Sequence, residues 1–397
     1  MTQYTIGASV LVVVALGLGI VDRVPFSDSM VEFVAEERFL PSELSATPVP
    51  STTTAPSTTT VPSTTKPMHP TTAEAFPPPT AVPEQPMSRS TRTASDGSAR
   101  VRISRDGTPM FAGDFADPDV VAFGGSFFAF ATNTMFMNVP VLSTESGGVH
   151  GDALPVLPAW SEPHHVWAPS VTEIGDHWLL HYTTRHSGSG RQCISVAVGD
   201  HPAGPFLDES TEPLVCALDQ GGAIDPSVVF DGADPHLLWK SDGNCCGLPT
   251  IVYSQPLSND GLALAGSPTE LLRNDLSWER DVIEGPSMIE AGDTWWLFYS
   301  ANRWDHADYA VGLAKCQSVV GPCEKQPDPW LESTDSFAGP GGLEVVALSE
   351  RAADLVVFHG WVDGEVGYPE GARALFVHLV RWTRNGPVLV VPASGGS

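Results

Sequence analysis

From about residue 100 onward, apolar positions in this chain come in short runs that alternate with polar ones. Gly, Pro, Asp and Asn separate the runs. This is the signature of strands closed by turns, and almost no stretch shows the 3.6-residue apolar period of a surface helix. The pattern also recurs. At intervals of 51 to 60 residues a proline turn leads into a short apolar strand, at Asp117-Pro118, Ala168-Pro169, Asp225-Pro226, Gly285-Pro286 and Gly339-Pro340. A second, aromatic-rich strand follows each turn. These strands end at Thr132, Thr183, Ser241, Ser300 and Gly360, all small residues read as being in register. A fixed period of this size marks a radial repeat with one sheet per unit. The expectation is an all-β, five-bladed β-propeller over residues 101–397. The pre-proline residues are expected to be extended, because proline disfavours helical geometry in the residue before it.

Upstream the pattern changes twice. Residues 5–21 form an uncharged run rich in Val, Leu, Gly and Ala. It is close to the ~20 residues needed to cross a bilayer as a helix. No Lys or Arg precedes it and no small-x-small site follows, so residues 1–24 read as an N-terminal membrane anchor rather than a cleaved signal segment. Residues 25–100 read as a disordered Pro/Thr/Ser-rich linker. Within it, residues 46–80 hold twelve Thr, nine Pro and three Ser, and a hexad recurs at Ser51–Pro56 and Ser57–Pro62. Such a composition cannot offset its ordering entropy and stays extended as a stalk. A stalk behind an anchor implies an extracellular domain, either anchored or secreted.

The formal charge of −27 argues against nucleic acid and anionic lipid as partners and favours a neutral one. All six cysteines fall in the repeat domain, an even number that suits an oxidising compartment. Closeness along the repeat pairs Cys193 with Cys216 and Cys316 with Cys323. Cys245 and Cys246 are adjacent and either bond to each other or stay reduced.

Three of the turns carry an acid: Asp117, Asp225 and Glu284. Each alone would read as ordinary turn chemistry. At equivalent repeat positions, they converge on one axial mouth. Two carboxylates across a bound sugar suffice for glycoside hydrolysis, one activating water and the other protonating the leaving oxygen. A third acid close by raises a neighbour's proton affinity. The motifs Asp117-Pro118, Trp167-Ala168-Pro169-Ser170, Ile224-Asp225-Pro226-Ser227, Glu284-Gly285-Pro286-Ser287 and Gly339-Pro340-Gly341 together resemble glycoside hydrolase family 43. This is the five-bladed arabinanase, arabinofuranosidase and β-xylosidase group. The resemblance implies Asp117 as general base, Glu284 as general acid and Asp225 as the residue that tunes the acid, with inversion at the anomeric carbon. Gly342 departs from the histidine that many members carry there.

Trp167, Trp304 and Trp361 are candidates to stack on sugar rings. By the same resemblance, His359, read as the fifth-blade counterpart of Tyr299, is a candidate ligand for water or a metal. No cofactor is required; a structural calcium or other cation in the central channel is the possible addition. The expected partner is a neutral oligo- or polysaccharide, met by a monomer. Two other readings stay open: a non-catalytic glycan-binding propeller, and a β-fructosidase-like retaining enzyme. Against the latter stand Ala116 before Asp117 and Ile224 before Asp225.

Overall fold

The computed structural model describes residue 104 and residues 107–143, 148–348 and 353–390. The expected anchor or signal segment and the linker lie outside the described residues. Among the described residues no helix is long and apolar enough to cross a membrane.

Five antiparallel meanders follow one another along the chain. Blade 1 comprises β1 (Asp119–Phe123), β2 (Ser126–Phe130), β3 (Pro140–Ser143) and β4 (Gly148–Asp152). Blade 2 has three strands, β5 (Ser161–Ile174), β6 (His177–His186) and β7 (Arg191–Gly199). Blade 3 comprises β8 (Ala223–Asp231), β9 (Asp234–Ser241), β10 (Ile251–Pro256) and β11 (Thr269–Arg273). Blade 4 comprises β12 (Ile283–Ala291), β13 (Thr294–Ala301), β14 (Ala310–Cys316) and β15 (Cys323–Lys325). Blade 5 comprises β16 (Ala338–Val346), β17 (Asp354–Trp361), β18 (Arg373–Thr383) and β19 (Gly386–Val390). The only helical elements among the described residues are two short 3₁₀ turns, Leu218–Gln220 and Gly243–Cys246. The all-β, five-bladed expectation therefore holds.

Each blade is buried on both faces, which is why its second strand reads as a continuous apolar run. In β13, Trp295, Leu297 and Tyr299 pack toward blade 3, while Trp296 and Phe298 pack toward blade 5. Five apolar clusters fill the five blade–blade interfaces in this way. The ring is closed by the segment ahead of β1. Met110 and Phe115 donate backbone hydrogen bonds to Leu375 and Arg373 of β18, each at 2.8 Å. The disulfides Cys193–Cys216 and Cys316–Cys323 form as expected, with Cα atoms 4.5 and 4.0 Å apart. Cys245 and Cys246 bond to each other.

Candidate active site

The innermost strand of each blade carries one extra residue near the axis. Between the pairs Trp167–Thr183 and Ser170–His181, β5 advances three residues while β6 advances two. The same slip separates Ile224–Lys240 from Ser227–Leu238 and Glu284–Ser300 from Ser287–Phe298. It also separates Gly341–His359 from Glu344–Val357. In blade 1, Thr132 N–H donates to Ala116 O and Asp119 pairs with Phe130, which continues the pattern. A bulge of this kind bends the strand and re-aims a side chain. The bulged residue is left-handed in every blade, with φ of 50° at Asp117, 43° at Ala168, and 56° at Asp225, Gly285 and Gly342.

This geometry corrects four expectations. Asp117 and Asp225 are the bulged residues of their blades, but Glu284 precedes the bulged Gly285 of its own and pairs with Ser300, so the three acids do not stand at equivalent repeat positions. The pre-proline residues are not extended, because the extra residue of each bulge is absorbed by a left-handed turn. At Asp117, Ala168 and Asp225 that conformation costs about 1–2 kcal/mol each. The fifth axial turn is Gly341-Gly342, not Gly339-Pro340, which forms a second bulge next to the pair Ala338–Trp361. The residues in register with Thr132, Thr183 and Ser300 are Lys240 and His359, not Ser241 and Gly360, so His359 is the counterpart of Ser300 rather than of Tyr299.

A ring of hydrogen bonds between blades compensates for the strained turns. Ala168 N–H donates to Thr132 Oγ1 (3.1 Å) and Asp225 N–H to Thr183 Oγ1 (3.0 Å). Gly342 N–H donates to Ser300 Oγ (2.9 Å) and Asp117 N–H to His359 Nδ1 (3.0 Å). The third blade breaks the rule. Lys240 has no acceptor to offer, and Gly285 N–H donates instead to Asp225 Oδ2 at 2.8 Å. Gly342 tolerates no side chain, since a Cβ there would stand 2.8 Å from Asp117 Cα and 2.9 Å from His359 Nδ1.

The bulges bring Asp117, Asp225 and Glu284 to one cleft of about 990 Å³. Thr132 Oγ1 donates to Asp117 Oδ2 at 2.6 Å, and Arg373 Nη1 lies 3.6 Å from Asp117 Oδ1. Burial opposes ionisation of Asp117. The charge of Arg373, with the Thr132 hydroxyl, outweighs it and holds the carboxyl below its ordinary value. Asp225 moves the other way: burial and then the charge of Glu284 push it up to about 8, although Lys240 opposes this. Glu284 accepts from Tyr309 OH at 2.8 Å and faces Lys240 Nζ at 3.4 Å. Lys240 also donates to Asn244 Oδ1 at 2.5 Å and lies 3.6 Å from Asp242 Oδ1. The Gly243–Cys246 turn that follows brings Cys245 to the cleft wall. Arg191 Nη1 donates to both sulfurs of its disulfide.

Trp167 and Trp304 line the cleft. Trp304 is braced from behind, with Arg373 4.8 Å from its ring centre and Trp361 stacked at 6.2 Å. Trp361 itself is 1% exposed and donates Nε1–H to Trp304 O. It supports the wall instead of meeting a ligand, which corrects the expectation for that residue. Burial drives the His359 imidazole down to about 3, so it is neutral and accepts from Asp117. Among the described residues no three His, Cys, Asp or Glu side chains converge on a point that would hold a metal. His359 Nε2 is buried without a hydrogen-bond partner.

Sequence reasoning missed Lys240, Tyr309, Arg373 and Thr132 as site residues. Only Lys240 carried a clear signal, a lone cation after the apolar run Leu237-Leu238-Trp239.

The chain matches the pattern of Glycosyl hydrolases family 43 over residues 107–388. It is 24% identical to the beta-D-galactofuranosidase xynD of Aspergillus niger, over 64% of this chain and 76% of that protein. It is 23% identical to a probable arabinan endo-1,5-alpha-L-arabinosidase A of Aspergillus flavus, over 65% of this chain and 85% of that protein. The crystal structure of a thermostable family-43 glycoside hydrolase superposes with a TM-score of 0.62. It is 22% identical, and the match covers 72% of this chain and 95% of that one.

Proposed function

The chain belongs to glycosyl hydrolase family 43, and on that premise we propose that it is an extracellular, inverting hydrolase of neutral arabinose- or xylose-containing glycans. The observation that carries this reading is the meeting of Asp117, Asp225 and Glu284 in one cleft walled by Trp167 and Trp304. Asp117, kept ionised beside Arg373, is the general base. It takes a proton from water as the water oxygen bonds to the anomeric carbon. Glu284 is the general acid and delivers a proton to the glycosidic oxygen as the carbon–oxygen bond breaks. Asp225 shares a proton with Glu284, because two buried carboxylates so close resist joint ionisation. The two tryptophans offer apolar faces to sugar rings, and the three disulfides fit an oxidising, extracellular setting.

The test is turnover of 4-nitrophenyl α-L-arabinofuranoside, 4-nitrophenyl β-D-xylopyranoside and linear arabinan, with the anomer of the first-formed product read by proton NMR. Inversion on at least one of them is expected. Glu284→Gln should cut polysaccharide cleavage by about 10³-fold or more while sparing the activated nitrophenyl substrates. A retained anomer, or a Glu284→Gln enzyme that still degrades polysaccharide, overturns the assignment.

A further inference from the structure

Four blades place a hydrogen-bond acceptor at the ring position: Thr132, Thr183, Ser300 and His359. The third blade places Lys240 there, its side chain fully buried on a strand otherwise committed to packing. A cation at this position has two consequences. It leaves the Gly285 N–H without the neighbour's acceptor, so the Asp225 carboxylate supplies one at 2.8 Å. It also sets an ammonium 3.4 Å from Glu284 Oε2.

We propose that Lys240 is a positioning residue of the hydrolytic site, a substitution in the ring that draws Asp225 against Glu284 and sets how tightly this pair of carboxylates holds its shared proton. The inference rests on the reading of Glu284 as the acid. An ammonium within ~4–6 Å favours the charged form of a carboxylate by 1–3 pH units, which counters the repulsion that Asp225 and Glu284 exert on each other. The groups facing the pair are Lys240 and Asp242 from β9 and its end, Asp117 from blade 1, and Tyr309 from the turn before β14. Of these, only Lys240 is cationic. Asn244 and Asp242 hold Nζ in place, at 2.5 and 3.6 Å. They share a turn with Cys245 of the cleft wall, so that wall and the proton-holding pair hang from one side chain.

The experiment compares the full-length enzyme with Lys240→Gln and Lys240→Arg. The first readout is the pH profile of kcat/KM on the 4-nitrophenyl substrate that the enzyme turns over. The second, independent of turnover, is a carboxyl ¹³C NMR titration of the folded proteins, with a thermal melt to confirm folding. Losing the charge should move the alkaline limb of the profile, and the matching NMR titration, upward by about one pH unit or more. Lys240→Gln should also lower kcat at least ~10-fold, whereas Lys240→Arg should keep the limb near its parent position. A limb that stays put in folded Lys240→Gln, or that moves equally in both variants, overturns the proposal. Should Glu284→Gln prove fully active, the acid assignment falls, while the NMR titration of the Lys240 variants still decides whether Lys240 governs the pair.

Discussion

Blade 4 holds a second buried lysine–carboxylate pair, and it differs from the one in the cleft in the way that matters. Glu279 is fully buried and its lone pairs are all engaged. It accepts from the backbone N–H groups of Asp275 and Leu276 at 2.8 and 2.9 Å, from Tyr299 OH at 2.7 Å, and from Lys325 at 2.7 Å. Glu284 has a tyrosine as well, Tyr309, but its lysine stands back at 3.4 Å and its side chain keeps 12% exposure toward the cleft. The first pair is closed and saturated, so it does nothing but hold a loop to a strand. The second is left short of partners on the side where a glycosidic oxygen would sit. Buried ion pairs are weak evidence of function in themselves; an unfilled coordination shell facing a cleft is what separates these two.

The largest expected contrast comes from Glu279→Gln against Glu284→Gln. Glu279→Gln takes a fully buried charge away from four donors, although Lys325 keeps Asp275 Oδ1 and Arg273 O, and should cost about 3–5 kcal/mol of stability, leaving the specific activity of the folded fraction unchanged. Glu284→Gln should melt closer to the parent, because its carboxylate is partly exposed and has one close donor, Tyr309, and it should lose polysaccharide cleavage. Denaturant midpoints and initial rates on the two purified variants check both halves. Equal stability losses, or an activity loss in Glu279→Gln, would collapse the distinction.

The next contrast is in pH. The folded-state proton affinity of Asp225 is raised to about 8, against ~4 in an unfolded chain. The native state therefore binds a proton that the unfolded state releases across that window. The associated stability is complete below ~4 and is lost as the pH climbs toward 8. Asp225→Asn should flatten this slope and melt above the parent at pH 8, while turnover drops. Asp117 titrates in the opposite sense and only at acid pH, since its proton affinity is lowered. Parallel melting curves for parent and Asp225→Asn between pH 5 and 8 would show that Asp225 is not the strained member.

The sequence carried the blades and the three acids for a physical reason. Strands buried on both faces must be apolar throughout, and bulges that aim side chains at an axis recur with the blade. What it hid was register. Ending the third aromatic strand on Ser241 put Lys240 one place too early, and ending the fifth on Gly360 did the same to His359. A one-residue offset moves a side chain to the other face of a strand. The displaced pair are the two residues at the ring position that are not Ser or Thr. The fifth turn was obscured because Gly339-Pro340 mimics the repeat while Gly341-Gly342, without a proline, performs it. Tyr309 and Arg373 gave no signal, because their roles arise from contacts across blades.

The finest test sets the two tyrosines against each other. Tyr299 OH donates to Glu279 Oε1 at 2.7 Å and Tyr309 OH to Glu284 Oε1 at 2.8 Å, and both rings are buried. Removing the first hydroxyl leaves a carboxylate oxygen that no water can reach, so Tyr299→Phe should cost about 1.5–3 kcal/mol, the worth of a hydrogen bond to a charged group, with kcat intact. Removing the second leaves an oxygen that water from the cleft can serve, so Tyr309→Phe should cost less stability. It should instead ease the alkaline limb of the kcat/KM profile upward, because one donor that favours ionised Glu284 has gone. The shift should be smaller than that of Lys240→Gln, since a hydroxyl dipole stabilises a carboxylate less than an ammonium does. Chemical denaturation and pH–rate profiles of the two variants decide it. If Tyr309→Phe is the more destabilised and its profile does not move, Glu284 is as closed as Glu279, and no open acid faces the cleft.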